Sequence, residues 1–457
     1  MDTASAPVPF EGPSLLQSKA VFDNAHLDAW RTRLAADAEL GVSGRFLDVD
    51  LVVEVTGPAG SQPRAALVPL RAGRPAPRDA GPAPRVVVEA SLAAWAAFLA
   101  PVPSPGAVDL VGLDRTRSDA TIREGREVAL RHLRALSHAL ALARTPAVGE
   151  AHPHPPEAGR PPPAAADQGP WRERATGSTW RLDVAGRSCR IFVEEAGQGI
   201  PLLCLHTAGS DSRQWRHLLA DDELLARYRV VAFDLPAHGR SLPPDGWQTE
   251  ELLLTADLYC AAVVAVADAL ALERPVLLGC SMGGSAVLEL ARRHPDRFGG
   301  AIGVSGAAKL EGRFSDLSLR PDLNPGELVP TWVWGLMSPT APEVSRREVW
   351  WTYAQGAPGV YRAGTFFYSE DLDLRGQLSE LDTAACPVVL LTGDYDYACT
   401  PEDSRRTAEA IPGGRFVRMP GLGHFAPAED WVTFRPYLTD ALVHVENARR
   451  EEGERRD

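Results

Sequence analysis

The spacing of apolar and polar positions divides the chain into two differently patterned parts with a break between them. In Gly44–Thr56, Phe46, Leu47, Val49, Leu51, Val53 and Val55 are interrupted by acids at a period near two, which predicts a strand. Ala65–Leu70 and Arg85–Glu89 predict further strands, separated by the Pro/Gly-rich turn Gly73–Pro84. Ser91 is placed to cap a helix that carries Leu92, Trp95, Phe98 and Leu99 on one face. A closing helix is predicted over about Arg123–Arg144, through Val128, Leu130, Leu133, Leu136, Leu140 and Leu142. Residues 1–145 thus predict a small α+β domain. From Thr145 to Pro170 the apolar period vanishes and prolines take over, among them Pro153, Pro155, Pro156, Pro161, Pro162 and Pro163. Such a stretch cannot nucleate a core, so residues 146–170 predict a semi-extended linker in which His152 and His154 are solvated.

From Trp171 onward strands alternate with helical segments, the pattern of a mostly parallel α/β sheet. Trp180–Val184 and Cys189–Glu195 predict an opening hairpin, and Pro201–Leu205 and Arg229–Phe233 predict buried strands. A helix over about Glu250–Leu272 follows, then strands at Ala301–Ser305, Pro387–Thr392 and Arg415–Met419. Further helices are predicted near Glu402–Ile411 and at the C-terminus. Between Lys309 and Ala385 the order breaks into an irregular insertion. It holds ten aromatics in 77 residues, well above the 7% of the whole chain.

The sharpest local signal is Pro275–Gly284, where an apolar run stops at Gly-Cys-Ser-Met-Gly and a helical pattern begins at Ser285. A strand, a tight turn and a helix around G-x-S-x-G place Ser281 at a sheet's carboxyl edge beside a helix N-terminus. Gly279 and Gly283 leave room where side chains would collide with the neighbouring strand and helix.

Composition narrows the partners. At 457 residues and 45% hydrophobic, the chain can bury a large core in two domains. A net charge of −13, with its basic residues almost all Arg and dispersed, argues against nucleic acid or an anionic membrane as partner. The longest apolar-rich run, Ala261–Leu272, is broken by Asp268, so no membrane span is expected. Met1–Pro13 lacks the basic and apolar regions of a secretory signal. The six cysteines are scattered without C-x-x-C spacing, which fits buried thiols of a cytoplasmic protein better than a disulfide framework or a zinc site. No cofactor-binding or metal-binding pattern is present.

A serine hydroxyl needs a base, an orienting acid and oxyanion donors to act as a nucleophile near neutral pH. Downstream of Ser281, Leu391-Thr392-Gly393-Asp394-Tyr395-Asp396 sets carboxylates just past a strand end. Pro420-Gly421-Leu422-Gly423-His424-Phe425 then sets an imidazole after the last strand. Together with Asp234-Leu235-Pro236-Ala237-His238-Gly239-Arg240-Ser241, these motifs make residues 180–445 resemble the α/β-hydrolase superfamily. The resemblance implies an eight-stranded, mostly parallel sheet with helices on both faces, in a domain of about 171–450 with a cap insertion at about 310–384. By position it implies Ser281 as nucleophile, His424 as acid/base and Asp396 as orienter, with Asp394 the rival acid. It also implies backbone N–H donors at Met282 and Ala208 for the oxyanion. Thr207 stands where the family often has Gly, and His206 and His238 are expected to shape loops by hydrogen bonding. A serine nucleophile argues against the dehalogenases and epoxide hydrolases of the superfamily, which use aspartate.

In the first part of the chain, Val86–Leu99 resembles the sterol-carrier-like lipid-binding fold, in which a strand leads into a helix with an early Trp. That implies an apolar tunnel. The same residues fit an oligomerisation or packing domain, through which a homo-oligomer would form.

The expected function is a cofactor-independent serine hydrolase for an ester, lactone or thioester of a hydrophobic or aromatic small molecule. The alternatives are C–C hydrolysis of a ring-cleavage diketone and, from another class, a hydrolase-fold carrier without catalysis.

Overall fold

The computed structural model describes residues 21–57, 63–144 and 174–456. The linker read at 146–170, with His152 and His154, lies outside the described residues, as does Met1–Pro13. The described chain groups into two compact units, residues 21–101 with 117–144, and residues 102–116 with 174–456. The segment Val102–Thr116, including the helix Leu110–Thr116, therefore clusters with the later part of the chain.

The first unit is built on a sheet of five strands: β1 (Val49–Thr56), β2 (Arg64–Arg71), β3 (Arg74–Pro75), β4 (Arg85–Ser91) and β5 (Ala120–Glu124). Their order across the sheet is β3-β2-β1-β4-β5. β4 runs straight into the helix Leu92–Leu99, whose start is capped by the Ser91 hydroxyl accepting the Ala94 N–H at 3.0 Å. Trp30 and Trp95 are fully buried, and their indole N–H groups are satisfied by the carbonyls of Ala139 and Glu54, each at 2.8 Å. The stretch expected to be one helix over Arg123–Arg144 divides differently. Ala120–Glu124 pairs antiparallel with β4, and helices follow at Arg126–Arg131 and Leu133–Ala141. Gly125 is the reason: its φ of 75° breaks the strand, and a Cβ there would stand 2.1 Å from the Arg85 carbonyl.

The second unit is built on an eight-stranded sheet. It opens with a hairpin of β6 (Thr176–Val184) and β7 (Arg187–Gly197), which turns through Ala185 and Gly186, both at positive φ as a tight primed turn requires. The remaining strands are β8 (Ile200–Leu205), β9 (Tyr228–Phe233), β10 (Val276–Cys280), β11 (Gly300–Val304), β12 (Val388–Gly393) and β13 (Arg415–Met419). These six pair parallel with one another, and the order across the whole sheet is β13-β12-β11-β10-β8-β9-β7-β6.

Alternate side chains of each strand enter opposite layers. Leu203, Leu205 and Leu277 pack with the helices Ala256–Ala269 and Met282–Arg293. Leu202, Cys204, Val276 and Leu278 pack with Trp215 and with Phe434, Leu438 and Leu442 of the helix Trp431–Arg456. Each such side chain removed from water contributes roughly 1.5–3 kcal/mol. Burial on both faces explains why these strands read as continuous apolar runs instead of alternating ones.

Between β11 and β12 the chain leaves the sheet and forms the helices Pro325–Trp334, Glu343–Ala354 and Val360–Phe366. All six cysteines are buried free thiols. Among the described residues no helix is long and apolar enough to cross a membrane.

Candidate active site

β10 lies in the middle of the second sheet, between β8 and β11, and ends against the helix Met282–Arg293. Ser281 joins them at φ 54° and ψ −111°, a conformation that costs a non-glycine residue about 1–3 kcal/mol. The neighbours that permit it are small. A Cβ on Gly279 would stand 2.0 Å from the Gly283 carbonyl, and one on Gly283 would stand 2.4 Å from that of Leu205. The Ser281 N–H donates to the Val304 carbonyl at 2.8 Å and its own carbonyl accepts from Ser285 at 2.9 Å, which holds the turn from both sides.

Asp396 lies three residues beyond β12 and His424 lies beyond β13. Their side chains meet: His424 Nδ1 and Asp396 Oδ2 are 2.7 Å apart, and both residues are buried. Asp396 Oδ1 accepts the N–H groups of Ala398 and Cys399 at 2.8 and 2.9 Å, which fixes the carboxylate. With Nδ1–H donated to Asp396, His424 keeps Nε2 free to take a proton. The His424 carbonyl accepts the Cys280 thiol at 3.4 Å, which brings its backbone against the residue before Ser281. The Ser281 hydroxyl itself makes no hydrogen bond among the described residues, His424 included. Such bonds are often loose before substrate binds. Asp394 is elsewhere: its carboxylate is paired with Arg418.

Met282 opens its helix and Ala208 lies in the loop after β8. The two share one neighbour, since a Cβ on Gly364 would stand 2.7 Å from Ala208 Cβ and 3.0 Å from Met282 Sδ. Thr207, which departs from the family's glycine, is tied down by two bonds. Its N–H donates to Gln214 Oε1 at 2.9 Å, and its hydroxyl lies 2.6 Å from that of Tyr353 in the insertion. His206 Nε2 accepts the Leu235 N–H at 3.1 Å, so Nδ1 carries the proton it gives to the Thr207 carbonyl at 2.8 Å. Burial lowers the pKa of His206 and takes that of His238 down to about 3. Both are neutral loop-shaping residues.

Not all insertion aromatics face this site. Trp332, Tyr361, Tyr353 and Phe425 form a chain of ring contacts, 5.5–6.3 Å between centroids, that ends at His424. Phe367 instead stacks on Tyr259 of the main layer at 4.9 Å, and Trp351 is exposed.

Glu429 went unnoticed in the sequence. It is completely buried, and its carboxylate accepts the N–H groups of Gly423, Ser338 and Phe425 at 2.6, 3.2 and 3.3 Å. It therefore fastens both sides of His424 and joins them to the insertion. Burial pushes its carboxyl up to about 7, with the three N–H groups and the Arg346 charge pulling the other way. An acid ionised in the unfolded chain and protonated in the fold takes up a proton on folding. Its contribution to stability is full below about 4.5, falls as pH rises towards about 7, and is flat above. Glu429→Gln is expected to flatten this part of the plot of melting temperature against pH, measured from pH 4.5 to 8. Glu429→Ala strands three buried donors and should cost about 4 kcal/mol. Parallel pH profiles for wild type and Glu429→Gln would refute the assignment.

The alpha/beta hydrolase family model matches residues 202–435, just over half of the chain. The chain belongs to this family. It is 33% identical over 116 residues to 2-hydroxymuconate semialdehyde hydrolase of Pseudomonas sp. (strain CF600), covering 25% of this chain and 39% of that protein. It is 35% identical over 117 residues to the dihydrolipoyllysine-residue acetyltransferase component of the acetoin cleaving system of Pseudomonas putida, covering 26% of this chain and 30% of that protein. The chain thus spans well under half the length of either relative. A solved thermophilic esterase from Thermogutta terrifontis shares the fold with a TM-score of 0.51 at 22% identity, over 59% of this chain and 99% of that one.

Proposed function

We propose that this alpha/beta hydrolase cleaves a carboxylic ester, lactone or thioester of a hydrophobic or aromatic small molecule through an acyl-enzyme. The observation that carries the reading is the buried 2.7 Å contact of His424 Nδ1 with Asp396, beside a strained Ser281 at a helix start. His424 Nε2 takes the Ser281 proton as Oγ attacks the carbonyl, and the backbone N–H groups of Met282 and Ala208 receive the oxyanion. The leaving group departs with the proton from His424. Water, deprotonated by the same imidazole, then attacks the acyl-enzyme and releases the acid and free Ser281. The ring chain from Trp332 to Phe425 supports an apolar substrate held away from water. Nitrophenyl esters from acetate to palmitate test the reading. We expect turnover with an optimum at one chain length, and no turnover of any ester would exclude simple esterase activity.

A second reading is C–C hydrolysis of a ring-cleavage diketone, supported by the 33% identity to a 2-hydroxymuconate semialdehyde hydrolase. Loss of the visible absorbance of a dienoic diketone, without turnover of the esters, would favour it.

A further inference from the structure

A cavity of about 960 Å³ lies directly behind the proposed acid. Tyr397 and Ala398, the two residues after Asp396, form part of its wall. The remaining wall is rich in cations, and these fall into two groups. Arg375 is paired with Asp373 and Glu311, Arg406 with Asp403, and the Lys309 ammonium donates to the Glu370 carbonyl at 3.1 Å. The two acids of the wall, Glu311 and Asp403, are thereby engaged. Arg115 and Arg313 are different. Among the described residues neither guanidinium has a carboxylate at ion-pair distance, and Arg115 only lies over the Trp332 ring at 5.6 Å. The Tyr397 hydroxyl in the same wall is buried and has no hydrogen-bond partner among the described residues.

Among the described residues, two guanidinium groups without a carboxylate partner, of which Arg313 makes a side-chain hydrogen bond to Tyr368, and an unpartnered phenol thus open on one cavity. The partly buried Arg313 guanidinium is costly without a carboxylate partner, and forked N–H donors such as those of Arg313 and the exposed Arg115 match a carboxylate or phosphoryl oxyanion in two-point geometry. Arg313 lies within electrostatic reach of Tyr368, Tyr361, Tyr397 and Asp396, the residue proposed to orient His424. Arg115 sits on Trp332, the outer end of the ring chain that leads to His424. The cavity therefore adjoins Asp396 through Tyr397 and Ala398 and presents positive charge beside it.

We infer that Arg313, Arg115 and Tyr397 bind an anionic group of the substrate, so that the bond presented to Ser281 belongs to a molecule with an apolar body and an acidic arm. This rests on the hydrolase reading above. The recognising chemistry is that of a carboxylate or a phosphoryl oxyanion, and the test separates the two.

Wild type, Arg313→Met, Arg313→Lys, Arg115→Met and Tyr397→Phe are assayed on three substrates. These are 4-nitrophenyl butyrate, the mono-4-nitrophenyl ester of glutaric acid, and 4-nitrophenyl 4-phosphonobutanoate. The readout is the ratio of kcat/KM for each anionic ester to that for the neutral one, which divides out general damage. In wild type one anionic ester is expected to be preferred at least about tenfold, and which one identifies the oxyanion. The ratio should fall about 30–100-fold in Arg313→Met, as loss of a hydrogen bond to a charged group implies. Arg313→Lys should restore part of it, and Arg115→Met, an exposed position that should not disturb folding, should lower it about fivefold. An unchanged ratio in both Arg313→Met and Arg115→Met overturns the inference, as does a wild type without anionic preference. If no ester turns over, the hydrolase reading has failed and the site is read by binding alone. Glutarate or 4-phosphonobutanoate should then raise the melting temperature of wild type but not of Arg115→Met, and no shift in wild type overturns the site.

Discussion

Ser281→Ala is expected to abolish ester turnover, lowering kcat by up to about 10⁶-fold with little change in KM, since removing a serine nucleophile costs about this much elsewhere. The Ser281 hydroxyl is not a group on which the fold depends. It makes no hydrogen bond among the described residues, so its removal leaves no buried group unsatisfied. The backbone strain at φ 54° is the same for Ala as for Ser. Melting temperature should therefore move by no more than about 2 °C, whereas the reaction loses the only atom proposed to form the acyl bond. The rings of Trp332, Tyr361 and Tyr353, proposed above to hold the substrate, stay in place, which is why KM should persist. Stopped-flow release of nitrophenolate supplies a second readout: the burst expected of wild type should vanish in the variant. A Ser281→Ala variant that retains full activity would remove Ser281 from the mechanism altogether.

Different parts of the molecule were legible in the sequence to different degrees, and the reason is range. The turn at Ser281 could be read because its cause is local. Gly279 and Gly283 stand within four positions of each other, and the strand and helix that flank them carry their own patterns. β13 coincides with the expected Arg415–Met419 because it is a short run between turn residues. The span 123–144 could not be divided correctly. Its apolar spacing fits a helix throughout, and pairing with β4, some thirty positions earlier, draws Ala120–Glu124 into the sheet, with Gly125 ending the strand. The segment Val102–Thr116 has a pattern that does not say which core it joins, since Leu110, Val111 and Leu113 would satisfy either.

The same limit applies to the site. Glu429 follows His424 by five residues, directly after the apolar run Phe425–Ala428, and an acid there was a signal that could have been used. Its partner Ser338, however, lies 91 positions away. Likewise, nothing near Arg313 or Arg115 in sequence reveals that, among the described residues, neither has a carboxylate at ion-pair distance. Which carboxylate faces His424 is also a question of contact, because Asp394 and Asp396 both follow the same strand.

That choice gives the second large effect. Asp396→Asn should lower kcat by about 10³–10⁴-fold, while Asp394→Asn should change it less than about twofold. The asymmetry follows from who donates to whom. Oδ1 of Asp396 is held by the N–H groups of Ala398 and Cys399, so an asparagine must place its carbonyl there and its NH₂ at the Oδ2 position. That NH₂ then points at His424 Nδ1 across the 2.7 Å now spanned by Nδ1–H and a carboxylate oxygen. Two donors cannot share the contact, so the imidazole moves its proton to Nε2 and presents N–H instead of a lone pair to Ser281. The base is lost though every atom keeps its place, and the variant should fold and bind substrate. Asp394, by contrast, holds only the exposed Arg418, a pair worth about 0–1 kcal/mol. Steady-state kinetics on one nitrophenyl ester, with melting temperatures as the folding control, compares the two. A larger loss from Asp394→Asn than from Asp396→Asn would transfer the orienting role to Asp394 and displace the proton-transfer scheme built on the 2.7 Å contact.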